Sequence, residues 1–401
     1  MTIGYLHVGP PEHGVHRYGV LLARAARTHL DATVVEAHAL IEGAPSETLR
    51  TALRDLRPAD VVHMQYEPIS WGDVQAPAAI QQLIEQAPAP VVVTIHDARD
   101  GYTWTDRFRQ LWAARADASP GPESNDTPSA QSSPRPGRWM RWGAKAERAW
   151  RFWRQESANA RATRHLLNAA ATALVCTPAE QDRLQPLAAR PPVKHIPHFV
   201  EPRTLPDRHS ARAALNLPGS TQLITVLGFI HRQKGHDRVV QALSHLPGTV
   251  QAAFVGAPSD PGDRYATDLR HQARALGVSD RIRFTGYVDE VTLNQYLAAT
   301  DVAVCPFREA TASGSLSTWI AAGRPLVVAD LPLFDTYEAN APAAFERVTA
   351  STPSAWGAGI RAQLSNGSAS AVKNALRNLQ ERLALSTIIH EHATVYARVV
   401  S

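Results

Sequence analysis

The feature that most constrains this chain is a recurrence of short, β-branched apolar runs separated by helical stretches. TIGYLHV, ATVVEA, DVVHMQY, VVVTIHD and TALVC occupy the first half, and LITVLGF, QAAFVG, RIRFTG, DVAVC and PLVVA the second. Runs of this kind alternating with helices indicate parallel sheets covered by helices on both faces. The series restarts after PHFVEPRTLPDRHSARAALNLPGS, a polar, proline-containing stretch that suits a hinge. The pattern therefore predicts an α/β chain of two doubly wound, Rossmann-like domains, 1–203 and 204–375, facing a central cleft. The closing helical segment, 376–401, is expected to pack at the domain boundary. Ligands of such sheets bind at the carboxyl ends of the strands.

A length of 401 residues is enough for two such cores. The net charge of +4 is mildly basic and only weakly suggests anionic partners. No apolar run approaches the roughly 20 residues that span a bilayer. MTIGYLHVGPPEHG lacks the basic and apolar regions of a secretory signal. Cys176 and Cys305 each end a strand-like run and read as small buried hydrophobes in a reducing, cytoplasmic setting. Residues 117–137, DASPGPESNDTPSAQSSPRPG, offer almost nothing to bury and read as a mobile insertion. An amphipathic helix is expected over 138–165. Trp139, Trp142 and Trp153 fall on one side of it, and Arg141, Lys145, Arg148 and Arg151 cluster opposite. Such a helix suits peripheral contact with an anionic membrane at the inner face. It equally suits tryptophans packed on the first sheet with arginines in water. No nucleic-acid recognition module occurs, so no nucleic-acid partner is expected. His63, His195, His198, His231 and His236 do not form a ligand set, and no Asp-x-Asp motif is present, so no metal is expected.

Two segments of the second half carry candidate chemistry. VLGFIHRQKGHDRVVQAL reads as a strand, a loop and a helix opening near Gly235, with Lys234 at the end of the loop. A lysine there points at whatever sits over the helix N-terminus, where free N–H groups and the macrodipole favour anions. In ATASGSLSTWIAAGRP the amides of Gly314, Ser315 and Leu316 can approach phosphate oxygens because no bulky side chain intrudes. Ser313 and Ser315 add hydroxyl donors. An ordinary strand-to-helix turn with serine as N-cap reads equally well from this loop alone.

In order and spacing, these segments resemble glycosyltransferase family 4, retaining enzymes of the GT-B fold. The resemblance runs from LITVLGFIHRQKGHD through FTGYVDEVTLNQYLAATDVAVCPF to SGSLSTWIAAGRPLVVADLPLF. The first half agrees more loosely: GVHRYGVLLARAA resembles the family's acceptor-side loop, and VVVTIHDARD a central strand ending in His96-Asp97. Two departures stand out. Where the family carries an arginine directly after the strand glycine, this chain has Phe229, and Arg232 could supply the charge from within the loop. Where the family carries two glutamates eight positions apart, this chain has Ala310 and Thr318, with Glu309 beside the first.

The resemblance implies a transferase that moves a sugar from a nucleotide diphosphate sugar, the co-substrate, to a hydroxyl, with no other cofactor and no metal. Lys234, helped by Arg232 and the amides of 314–316, would stabilise charge on the departing diphosphate. Glu309 would touch the donor sugar, and Thr318 would meet the ribose. Tyr287 and Val288 would bracket the base. His96 would bind the sugar or orient the acceptor, with Asp97, Gly14, Val15 and Arg17 on the acceptor side. The acceptor could be a sugar, a lipid-linked precursor or a small molecule, and polysaccharide biosynthesis is one setting. Loss of the paired glutamates leaves open an alternative, a nucleotide-sugar-fold binding or partner subunit without turnover.

Overall fold

The computed structural model describes residues 1–11, 13–43, 45–96, 138–188, 192–258, 264–310, 313–366 and 369–401. Its frame is two parallel six-stranded sheets. The first contains β1 (Thr2–Val8), β2 (Thr33–Ala39), β3 (Val61–Tyr66), β4 (Val91–Ile95), β5 (Thr172–Val175) and β6 (Val193–His195). Their order is β2-β1-β3-β4-β5-β6. The second contains β7 (Gln222–Leu227), β8 (Val250–Val255), β9 (Ile282–Gly286), β10 (Val302–Cys305), β11 (Leu326–Ala329) and β12 (Phe345–Val348). These run β12-β11-β10-β7-β8-β9.

Each apolar run of the sequence forms a strand, and the expected doubly wound, GT-B architecture follows. The inner strands VVHMQY, VVVTI, TALV, VAVC and LVVA are buried at every position, which their unbroken apolar character requires of strands covered on both faces. Two short strands were not foreseen, VKH of β6 and FERV of β12. Both lie at sheet edges, where half-exposed charged residues break the apolar pattern.

The strand orders fix where ligands can bind. In the first sheet the chain leaves β1 outward to β2 and returns to β3 on the other side. In the second it leaves β7 outward to β8 and β9 and returns to β10. The carboxyl ends of β1 and β3, and of β7 and β10, therefore flank the topological switch points.

One face of the first sheet packs Leu49, Ile80, Leu166 and Leu167 from its covering helices. The other face buries Ile3, Tyr5 and Val61 beneath Leu22 of helix Gly14–His29 and beneath Ile388, Ile389 and Tyr396 of helix Leu385–Val400. The second sheet packs Val239, Leu269 and Trp356 on one face and Trp319, Phe334 and Leu376 on the other. Helix Ser370–Arg382 thus joins the core of the second domain, while the helix after it joins the core of the first. The two crossings of the chain lie side by side: Val200 N–H donates to Leu383 O at 2.8 Å, and Val200 bridges Ala384 in parallel. Cys176 and Cys305 are buried free thiols.

A helix covers Arg138–Ala169, where one was expected. Its second half enters the core through Ala162, Leu166 and Leu167. The side chains of 138–149 and 151–153, on which the tryptophan and cationic faces were read, lie outside the described residues, as do the 117–137 insertion and Asp97. Among the described residues no helix is long and apolar enough to cross a membrane.

Candidate active site at the interdomain cleft

The second sheet brings Lys234 and the serine-glycine turn together at its switch point. Strand β7 runs into Gly228, whose φ of +115° is open to glycine and strained for other residues. Strand β8 ends at Gly256, where a Cβ would stand 2.2 Å from Gly228 O. The two strand ends can touch backbone to backbone only because the second is glycine. A Cβ built on Gly228 would lie 3.8 Å from Lys234 Nζ and 4.0 Å from Ser315 Cβ. Strand end, ammonium and the start of helix Gly314–Ala321 therefore face one another.

Lys234 Nζ donates to Ser315 Oγ at 3.1 Å and lies 4.3 Å from the centre of the Phe307 ring. No carboxylate among the described residues pairs with it. Burial lowers its pKa below the ordinary lysine value, partly opposed by the Cys305 thiol. A desolvated ammonium with no counter-ion among the described residues, set over a helix N-terminus, suits an anion. Ser313 caps that helix: its Oγ accepts from Leu316 N–H at 3.3 Å and lies 3.0 Å from Ser315 Oγ. This corrects one expectation. The Leu316 amide is occupied by the cap, which leaves Gly314 and Ser315 as the first-turn amides for a ligand.

Arg232 does not join Lys234. The two flank Gln233 in a single 3-10 turn, in which residues two apart point about 120° away from each other. Arg232 instead stacks over Tyr265, 5.3 Å from the ring centre, and pairs with Asp268 at 3.8 Å. Glu309 is exposed and pairs with no described residue. Thr318 lines the cleft, but its Oγ1 donates to Gly314 O at 2.8 Å, back into its own helix. Beyond β9, Tyr287 is 86% exposed, and Val288 is half-buried against its own domain.

Between the domains lies a cavity of about 250 Å³. Gly14, Arg17 and Tyr18 reach it from the first domain, and Gly314, Ser317 and Thr318 from the second. Gly14 opens a helix whose first turn has neither an N-cap side-chain bond nor an acidic residue, so no described side chain occupies its amides. Val15 is half-buried beside it. Arg17 spans the cleft: it donates to Glu201 at 2.8 Å and 2.9 Å and to Glu290 at 3.1 Å. Those carboxylates hold the Arg17 pKa above its ordinary value against the opposing effect of burial. Arg203 reaches Glu290 from the crossing segment at 2.9 Å. His198 Nδ1, from the same crossing, lies 3.0 Å from Ser317 Oγ in the second domain.

His96 follows β4. Its Nε2 lies 2.8 Å from Gln65 Oε1, and its ring stands edge-on to Tyr18, 4.7 Å between centres. Burial, with His198 and His13 nearby, pushes its pKa down to about 3, so the ring is neutral at physiological pH. Sequence reasoning missed Glu201, Arg203, Glu290 and Gln65. Three of these are ordinary surface-type residues in the hinge and an N-terminal helical turn, with nothing local to mark them. Gln65 was readable as a polar residue inside an apolar run.

Comparison with known proteins agrees with this geometry. Residues 221–366, which hold the second sheet and the Lys234 site, match the family model "Glycosyl transferases group 1". D-inositol 3-phosphate glycosyltransferase 2 of Catenulispora acidiphila is 32% identical over 107 residues, 25% of each chain. The D-inositol 3-phosphate glycosyltransferase of Mycolicibacterium smegmatis is 33% identical over 123 residues, 30% of this chain and 28% of that protein. The chain thus spans only about a quarter of the length of these curated relatives. Among solved structures, sucrose-phosphate synthase of Thermosynechococcus elongatus superposes with a TM-score of 0.70 at 16% identity, covering 100% of this chain and 99% of that one. Anabaena Alr3699/HepE in complex with UDP-glucose superposes with a TM-score of 0.68 at 15% identity, over 99% and 100%. At such identities the structures establish the fold. The chain has the GT-B fold throughout, and its second domain matches the group 1 glycosyltransferases.

Proposed function

We propose that this chain is a retaining, metal-independent glycosyltransferase resembling family 4, which moves a hexose-type sugar from a nucleoside diphosphate to an acceptor hydroxyl. The observation that carries the reading is Lys234, a desolvated ammonium with no carboxylate partner among the described residues, aimed at Ser315 and the start of a helix. The family match over the same residues supports it. Anabaena Alr3699/HepE has been solved with UDP-glucose, so uridine diphosphate sugars are the first donors to test.

In this reading the bond between the anomeric carbon and the diphosphate oxygen breaks as the acceptor oxygen adds from the same face. The acceptor proton passes to the departing phosphate. Lys234, Ser315 and the amides of Gly314 and Ser315 stabilise the charge left on the diphosphate. Neutral His96 takes a hydrogen bond from a sugar or acceptor hydroxyl, and Arg17 with Gly14 forms the acceptor side. The acceptor is a glycan, a lipid-linked sugar or a small molecule, met in the cytoplasm or at the inner membrane face. No cofactor beyond the donor takes part.

One observation favours a second reading, a nucleotide-sugar-binding subunit without turnover: Thr318 is neutral and turned into its own helix. Incubation with a panel of donors, followed by mass spectrometry, separates the two. Transfer or hydrolysis of a donor that is lost in Lys234→Ala supports the enzyme. Donor binding by thermal shift with no product from any donor supports the subunit, and turnover undiminished in Lys234→Ala overturns the assigned role of the lysine.

A further inference from the structure

A run of buried polar groups leads inward from His96 through the first domain, and its hydrogen bonds can be oriented atom by atom. With the Gln65 amide oxygen turned to His96, 2.8 Å away, that oxygen can only accept, and His96 then carries its proton on Nε2. Gln65 Nε2 can only donate, and it lies 3.3 Å from His63 Nε2, which must therefore accept. Thr94 Oγ1 approaches the same His63 nitrogen at 2.9 Å. The proton of His63 then sits on Nδ1 and is given to Tyr396 OH at 2.6 Å. That hydroxyl is left to donate to Tyr5 OH at 3.1 Å. His63 and Tyr396 are 0% exposed, Tyr5 1%, Thr94 2% and Gln65 5%. Burial keeps His63 neutral, with His392, His96 and His7 adding repulsion, so the series has no charged form to rearrange into.

We propose that Gln65 is a positioning residue for His96: it holds the imidazole as the Nε2–H tautomer and leaves Nδ1 as the bare acceptor nitrogen. Nδ1 takes no hydrogen bond from a described residue. The consequence for catalysis rests on the glycosyl-transfer reading, in which that nitrogen accepts from a substrate hydroxyl. A tautomer with the proton on Nδ1 would present a donor to the same hydroxyl and lose the interaction. The series is cooperative: one rotation of the Gln65 amide would require both histidines to exchange tautomers and both tyrosines to reverse together.

The test is a long-range proton–nitrogen NMR spectrum of the full chain labelled with 15N-histidine, with the His96 signals identified by their loss in His96→Asn. The expected result is a neutral ring with the proton on Nε2, unchanged where an ordinary histidine titrates, near about pH 6.5. A proton on Nδ1 overturns the proposal, and this measurement needs neither a variant of Gln65 nor turnover. In Gln65→Leu the ring is expected to show mixed tautomers, and kcat to fall about tenfold to a hundredfold with the donor KM little changed. Gln65→Glu keeps an acceptor on Nε2–H, so it should restore the tautomer and move the acid limb of the kcat profile to higher pH. Loss of stability in both variants with the wild-type tautomer and profile retained would make Gln65 merely structural and refute the proposal. A correct tautomer in a chain that turns over no donor would instead defeat the glycosyl-transfer reading and leave the positioning intact.

Discussion

Replacing Lys234 by methionine separates binding from folding, because the side chain keeps nearly its length and loses only its charge. In the free protein the ammonium is desolvated, has no carboxylate partner among the described residues, and is balanced by Ser315 Oγ at 3.1 Å and the Phe307 ring at 4.3 Å. Removing a buried charge that lacks a counter-ion is expected to leave stability unchanged or raised, within about 1 kcal/mol. Binding should behave in the opposite way. A hydrogen bond from a charged group contributes about 1.5–3 kcal/mol, so a diphosphate should bind about 10- to 100-fold more weakly. At a ligand concentration about 100 times the wild-type Kd, binding stabilises the wild type by about 2.7 kcal/mol and a 100-fold weaker variant by about 0.4 kcal/mol. For a domain of this size that is a thermal shift of about 5–10 °C falling to about 1–2 °C. The sign of the pH dependence provides a check. A lysine whose pKa is lowered by folding binds fewer protons in the folded state, so the stability of the free protein should rise as pH climbs from the lowered pKa towards 10.5. Lys234→Met should remove that rise. Differential scanning fluorimetry with and without uridine diphosphate reads both quantities, and a variant that keeps the full ligand shift refutes the anion site.

Two further outcomes follow from the same geometry. Thr318→Glu puts a carboxylate on the cleft-lining side of helix Gly314–Ala321 and should tighten nucleotide diphosphate binding by about 1 kcal/mol, up to tenfold, as measured by calorimetry. Gly235→Ala should destabilise the second domain by about 3 kcal/mol or more in urea unfolding, because φ is +71° and the new Cβ would stand 1.9 Å from Pro306 O.

The fold was legible because strands buried on both faces are largely apolar, and VVVTI or LVVA can hardly be anything else. The edge strands VKH and FERV were not, since half-exposed charged residues erase the signal. At the site, Lys234, Ser313, Gly314 and Ser315 could be found because each belongs to one continuous loop-to-helix segment. Spacing does not show where Arg232 goes: it stacks over Tyr265 and pairs with Asp268, contacts made with a helix more than 30 residues further along the chain. Arg17, Glu201 and Glu290 meet only once two domains fold against each other. No window of sequence holds both partners of an ion pair separated by 273 residues. Gln65 carried the one local signal that was overlooked, an amide inside a strand with no exposed face.

The paired crossings at Val200 and Ala384 give the chain a definite order of completion. Tyr5 and His63 in the opening strands stay uncovered until Tyr396, near the other terminus, arrives over them. During synthesis the second domain therefore has all its parts before the first does, although its sequence is made later. Helix Leu385–Val400 must leave the ribosome before the earlier half can close. A fragment ended at the hinge would lack the lid of its own interior and should be captured by chaperones or proteases rather than survive as a free module.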